Sequence, residues 1–116
     1  MEIKILGVCS DPDKADKSFV DFVTTKEFVK DFECDYIIDL NNIKIIKDPR
    51  PYIKHIYDVV YSDFIDRNGI LRLSGDKPNL FGFLIKREVY MRHPLGVNVA
   101  DVVMHQYVPT SLIRII

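Results

Sequence analysis

Residues 51–67, PYIKHIYDVVYSDFIDR, carry the reading on which the architecture turns. Ile53, Ile56, Tyr57, Val60, Tyr61, Phe64 and Ile65 fall at i, i+3 and i+4 spacing, which draws one apolar stripe along a helix. Lys54, His55, Asp58, Ser62, Asp63, Asp66 and Arg67 take the other side, interrupted only by Val59. Asp48 followed by Pro49 supplies an N-cap and a first-turn proline, and Asn68-Gly69 supplies a left-handed exit. The spacing therefore predicts a helix over 51–67. Composition pulls the other way. Tyr57 to Tyr61 are mostly β-formers, and the chain holds two Ala and four Glu against fifteen Ile and twelve Val. Seven positions in register with both ends capped outweigh five residues of local preference.

A length of 116 residues is that of one domain, so residues 1–116 are expected to form a single globular unit. The 47% apolar and 28% charged fractions are ordinary for a folded protein, and no apolar run has the length of a membrane span. No basic segment followed by an apolar block opens the chain, which points to the cytoplasm. A net charge of −1 opposes both a phosphate-neutralising nucleic-acid binder and an acidic duplex mimic. Cys9 and Cys34 lack paired spacing and read as reduced thiols.

Taken in order, residues 2–9 form a nearly continuous apolar run, that of a central strand buried on both faces. Asp11 and Pro12 open a helix with Phe19, Val20, Phe22 and Val23 inward, and Thr24 with Glu27 forms a capping box that restarts it as far as Glu33. Residues 34–40 and 43–47 flank Asn41-Asn42 and predict a tight antiparallel hairpin. After the helix over 51–67 come a short strand at 70–73, a loop at 74–79, and a half-buried run at 80–92 with either a bulge near Gly82 or a break around Lys86-Arg87-Glu88 expected. A short helix is expected from Asn98 through Tyr107. Residues 2–73 thus give the βαββαβ order of a ferredoxin-like α+β sandwich, extended by a C-terminal strand, helix and terminal strand. The alternative is a three-layer α/β sandwich with a mostly parallel sheet, which requires Asn41-Asn42 to be something other than a hairpin.

Several residue groups bear chemistry. Cys9-Ser10-Asp11-Pro12-Asp13 lies at the carboxyl end of the first predicted strand, where open α/β sheets bind ligands. Gly7 alone makes no phosphate cradle, and Asp11 and Asp13 repel an anion. Cys9, Asp11, Asp13 and His55 are the weak catalytic candidates of a small nucleotide- or metal-dependent enzyme, with Asp39 and Asp48 as further acids. His55, His93 and His105 share no metal-ligand spacing, and neither a metal site nor a cofactor motif is visible. Phe81-Gly82-Phe83-Leu84 echoes an RNA-stacking strand, but it has no basic-Gly lead and has Lys86 where an aromatic belongs, so core packing is its better account. Lys86, Arg87, Tyr90 and Arg92 would be the nucleic-acid strip.

The absence of a convergent catalytic set favours a non-enzymatic interaction module. It would bind a protein partner or a second copy of itself through a strand edge and the apolar terminus, Leu112, Ile113, Arg114, Ile115 and Ile116. The richness in Ile, Asp, Lys, Asn, Tyr and Phe suggests an AT-rich coding source, as in many bacteria and phages, where small accessory or immunity-type proteins have this size.

Overall fold

A computed structural model describes residues 2–41, 43–53, 59–66, 68–72, 83–92 and 113–115. Among them the chain is a mixed, sheet-dominated α+β structure with two sheets and few helical turns. The apolar run at the start becomes β1 (Ile5–Val8), buried along its whole length. Its neighbours are β2 (Phe22–Thr24) and β3 (Tyr36–Asp39), one on each side and both parallel to it. The sheet continues through β8 (Phe83–Lys86), β5 (Val59–Tyr61) and β9 (Ile113–Ile115), in the order β2-β1-β3-β8-β5-β9. β8 pairs antiparallel with both β3 and β5, and β9 runs parallel to β5, so β8 alone opposes the other five strands. A second, antiparallel sheet has the order β4 (Ile43–Ile45), β6 (Phe64–Asp66), β7 (Leu71–Arg72).

The period of two along each strand splits the core into two clusters, one on each face of the larger sheet. Leu6, Val8, Ile37, Val59 and Ile85 face Val29, Val89 and Tyr90. Ile5, Tyr36, Ile38, Val60 and Leu84 face Ile43, Ile45 and Phe64 of the smaller sheet. The cover on the first face comes from a 3-10 segment, Lys26–Asp31, and from α1 (Arg87–Tyr90), a single helical turn. Each fully buried aliphatic side chain contributes about 1.5–3 kcal/mol, so the two interfaces hold the central strands from both sides.

The helix expected over 51–67 is not formed. Arg50–Tyr52 is a 3-10 turn, Val59–Tyr61 is a strand between β8 and β9, and Ser62-Asp63 carries the chain into β6 of the other sheet. Residues 54–58 and 67 lie outside the described residues. The cause is visible at Val59. A helix would put it on the wet side, whereas it is 1% exposed, and Val60 next to it is fully buried on the opposite face. Two β-branched neighbours buried on opposite faces suit a strand with both faces covered.

The helical region expected between Asp11 and Glu33 is likewise replaced. A 3-10 turn at Pro12–Lys14 is followed by β2 and by the segment Lys26–Asp31, whose N-cap is Thr25 without a side-chain cap bond. Phe22, Val23 and Thr24 are poor helix formers, and pairing with β1 outweighs the weak i, i+3 pattern. Nor is Asn41-Asn42 a hairpin, since β3 and β4 belong to different sheets. Asp39 Oδ1 accepts from Asn41 N at 2.8 Å and the Asn41 side chain is tied to Ser10, which turns the chain out of the first sheet.

The ferredoxin-like βαββαβ order therefore does not describe residues 2–73. The mostly parallel sheet and the absent hairpin belong to the alternative, but its helical layers are not found among the described residues. Of the two interruptions expected in the run over 80–92, the break near Lys86 is present, with β8 ending there and α1 starting at Arg87, while Gly82 lies outside the described residues. Gly69 has φ 78°, the left-handed conformation expected there, but it closes the β6–β7 hairpin and does not end a helix. The loop at 74–79 and the helix expected at 98–107 lie outside the described residues. Among the described residues no helix is long and apolar enough to cross a membrane.

Candidate functional site

In an open sheet a crevice forms where the neighbours of one strand connect on opposite sides, at the strands' carboxyl ends. β1, with β2 on one side and β3 on the other, creates that position at Val8, Thr24 and Asp39. Two adjoining lobes open there. One has a volume of about 190 Å³ and is walled by Ser10, Thr25, Lys26, Glu27, Asp39 and Asn41. The other, about 470 Å³, lies toward the smaller sheet, with Asp11, Asp16, Lys44 and Asp66 on its walls. Cys9, Ser10 and Asn41 border both.

The boundary between the lobes is a built bridge. Asn41 Oδ1 accepts from Ser10 N at 2.8 Å and from Ser10 Oγ at 3.0 Å, and Asn41 N donates to Asp39 Oδ1 at 2.8 Å. Leu40 N donates to Val8 O at 2.9 Å and Cys9 N to Thr24 O at 2.9 Å, which locks the three strand ends together. Asp39 is half-buried, and its desolvation pushes the carboxyl above the ordinary range against the lowering effect of Asn41. Tyr90, buried in the core, is pushed up first by burial and then by the charges of Glu27 and Asp39. The Thr25 hydroxyl oxygen is screened from solvent, and no partner meets hydrogen-bond geometry there. The Glu27 carboxylate still feels that hydroxyl, which is the first cause holding it below the usual glutamate range.

In the wider lobe the charges are paired. Lys14 Nζ is 3.7 Å from Asp11, Lys44 Nζ is 3.4 Å from Asp16, and Arg72 Nε is 3.1 Å from Asp66. Ser18 lowers the Asp16 carboxyl first, and Ile70 N–H that of Asp66.

Of the sequence-derived candidates, Cys9 and Asp11 reach this crevice. Cys9 is buried, with Sγ 3.4 Å from Asp11 O, and Asp13 sits exposed in the 3-10 turn beside it. Asp39, weighed only as a helper, is a central wall of the smaller lobe. Asp48 is elsewhere, bonded to Arg50, and His55, His93 and His105 lie outside the described residues. Glu27 and Asn41 escaped the sequence reading as site residues because capping-box and turn signals explained them locally, and Thr25 carried no signal of its own. Among the described residues no three of His, Cys, Asp and Glu gather to hold a metal ion.

The basic strip is dispersed. Lys86 Nζ is 3.3 Å from Glu88, Arg87 donates to Phe32 O at 3.1 Å and Lys30 O at 3.4 Å, Tyr90 is 3% exposed, and Arg92 is exposed. Phe81, Gly82, Leu112 and Ile116 lie outside the described residues, while Ile113, Arg114 and Ile115 form β9 at one edge of the larger sheet. No protein-family model, curated protein or solved structure matches the chain.

Proposed function

We propose that this chain is a small-molecule-binding domain whose ligand enters the crevice at the carboxyl ends of β1, β2 and β3. The observation that carries the reading is the placement of β2 and β3 on opposite sides of β1, with a two-lobed cavity at the junction. Asp39, Glu27, Thr25 and Ser10 offer oriented acceptors and hydroxyls. A nucleophile beside a base is not among the described residues, so binding is the function inferred. A panel of nucleosides, sugars and nucleotides, with and without Mg²⁺, should contain a compound that raises the melting temperature of the wild type. The same compound should leave an Asp39→Ala variant unshifted. Equal shifts in both proteins, or none in either, would count against the crevice.

A second reading rests on β9. Among the described residues it is the outermost strand next to β5, and an edge strand presents unpaired backbone groups to a further strand. A protein partner or a second copy of the chain would add to that edge. Light scattering across a concentration series should then show a dimer, and a monomer throughout would remove self-association.

A further inference from the structure

If the crevice is a small-molecule site, as proposed, its walls also carry information on the class of ligand. Among the described residues, five carboxylates, those of Asp11, Asp16, Glu27, Asp39 and Asp66, stand around the two lobes against three lysines. The carboxylates are the less exposed partners in the wider lobe. Asp16 is 29% exposed against 55% for Lys44, and Asp66 is 18% exposed against 50% for Arg72. An anion entering there meets Lys44 and Arg72 with their charges already taken up by Asp16 and Asp66, so it must displace carboxylates from existing pairs and then lie beside them. The glycine-rich backbone that cradles phosphates is missing too. Gly7, the glycine nearest the strand end, is closed off, since a Cβ on it would lie 3.2 Å from Leu40 Cγ and 3.5 Å from Val23 Cγ2.

The smaller lobe asks for groups that both give and take hydrogen bonds. When ionised, Asp39 can only accept, whereas the Thr25 hydroxyl can donate or accept and has no partner of good geometry. A hydroxyl donates to the first and serves the second in either role. The volume of about 190 Å³ compares with the roughly 150 Å³ of an engineered cavity that binds benzene, so one substituted ring fits. The wider lobe beyond the Ser10–Asn41 bridge leaves room for a substituent.

We propose that the ligand is a neutral polyhydroxylated ring of the sugar or nucleoside type, and that a phosphate on it weakens binding. The test is calorimetric titration of the full chain with two matched pairs, adenosine against adenosine 5′-monophosphate and ribose against ribose 5-phosphate. The neutral member of at least one pair should bind tenfold or more tighter than its phosphate, and the gap should narrow as salt is raised. Asp39→Ala should abolish that binding. A phosphate that binds as tightly as its neutral partner, or tighter, overturns this ligand class but leaves the crevice as the site. Absence of binding by all four compounds overturns the ligand class, and the crevice itself then stands or falls on the wider panel of nucleosides, sugars and nucleotides. Binding of the neutral compound that survives Asp39→Ala places the ligand elsewhere and overturns both.

Discussion

Arg50 Nη2 lies 2.6 Å from Asp21 Oδ2, and this pair joins segments that are far apart in sequence. The same guanidinium donates to Ile3 O at 3.0 Å, Phe19 O at 3.1 Å and Asp48 Oδ1 at 3.0 Å, while Asp21 Oδ2 also accepts from Ile5 N at 2.7 Å. Arg50 is thus a staple that holds the entry to β1 and the approach to β2. Arg50→Ala leaves a half-buried carboxylate and two carbonyls without it, at a cost of about 2–3 kcal/mol. Arg50→Lys, which keeps the charge and loses the fork, should fall in between. Urea denaturation of the three proteins measures this, and equal midpoints for wild type and Arg50→Ala would reduce the staple to decoration.

The pair also predicts a pH dependence. Burial pushes the Asp21 carboxyl up, but the Ile5 N–H and Arg50 more than offset it, so its folded value lies below the ordinary 3.8. A depressed carboxyl contributes stability that is present above the unfolded value and lost as pH falls through the folded one. Asp21→Asn should therefore be less stable than wild type at pH 7, with the gap closing below about pH 4. A gap independent of pH would assign the effect to packing.

What could be read from the sequence, and what could not, separates along the range of each signal. The apolar run of β1 and the left-handed conformation of Gly69 are local, and both were legible, although the second was read as a helix exit and is a hairpin turn. Residues 51–67 were not, because pairs of adjacent apolar residues at 56–57, 60–61 and 64–65 satisfy a helical stripe and also suit short strands with both faces covered. Only the covering elements decide between the two, and β8 and β9 arrive from the far end of the chain. The crevice was half legible for the same reason. Cys9 to Asp13 announced a strand end, whereas Thr25, Asp39 and Asn41 join it through the parallel pairing of β2 and β3 with β1. Arg50 carried no local signal, since its acceptors Ile3, Phe19 and Asp21 lie 47, 31 and 29 residues away.

Val60 distinguishes the two architectures. On a helix, Val60→Ala gains intrinsic propensity and loses part of one face. In β5, where Val60 is fully buried against the smaller sheet, it loses two methyl groups from a packed core. The expected loss is about 2 kcal/mol. Amide exchange supplies the independent check, with slow exchange expected at Val59 to Tyr61. A neutral substitution together with fast exchange there would sink the strand assignment.

Gly7 is held small by contact. Its missing Cβ is occupied by Leu40, which is 3% exposed and cannot swing into solvent without opening the core. Gly7→Ala should cost about 1–3 kcal/mol as overpacking. Adding Leu40→Ala to it should cost less than the two single losses combined, because the new methyl fills part of the space vacated. Strict additivity in that double-mutant cycle would show that the two sites do not touch.

Asp39 sets stability against binding. Burial raises its carboxyl above the ordinary 3.8, and a group raised in the folded state contributes stability that is lost as pH climbs through the folded value. The ionised carboxylate is therefore a cost at pH 7. Asp39→Asn removes the charge and keeps an oxygen for Asn41 N–H, so its melting temperature should exceed that of wild type at pH 7 and converge with it toward pH 4. Ligand binding should move the opposite way, because a carboxamide accepts hydroxyl hydrogens more weakly than a carboxylate does. Scanning calorimetry at the two pH values, paired with titration of the best ligand from the panel, reads both halves. A variant that is less stable at pH 7 would make Asp39 a structural anchor of the β3 turn.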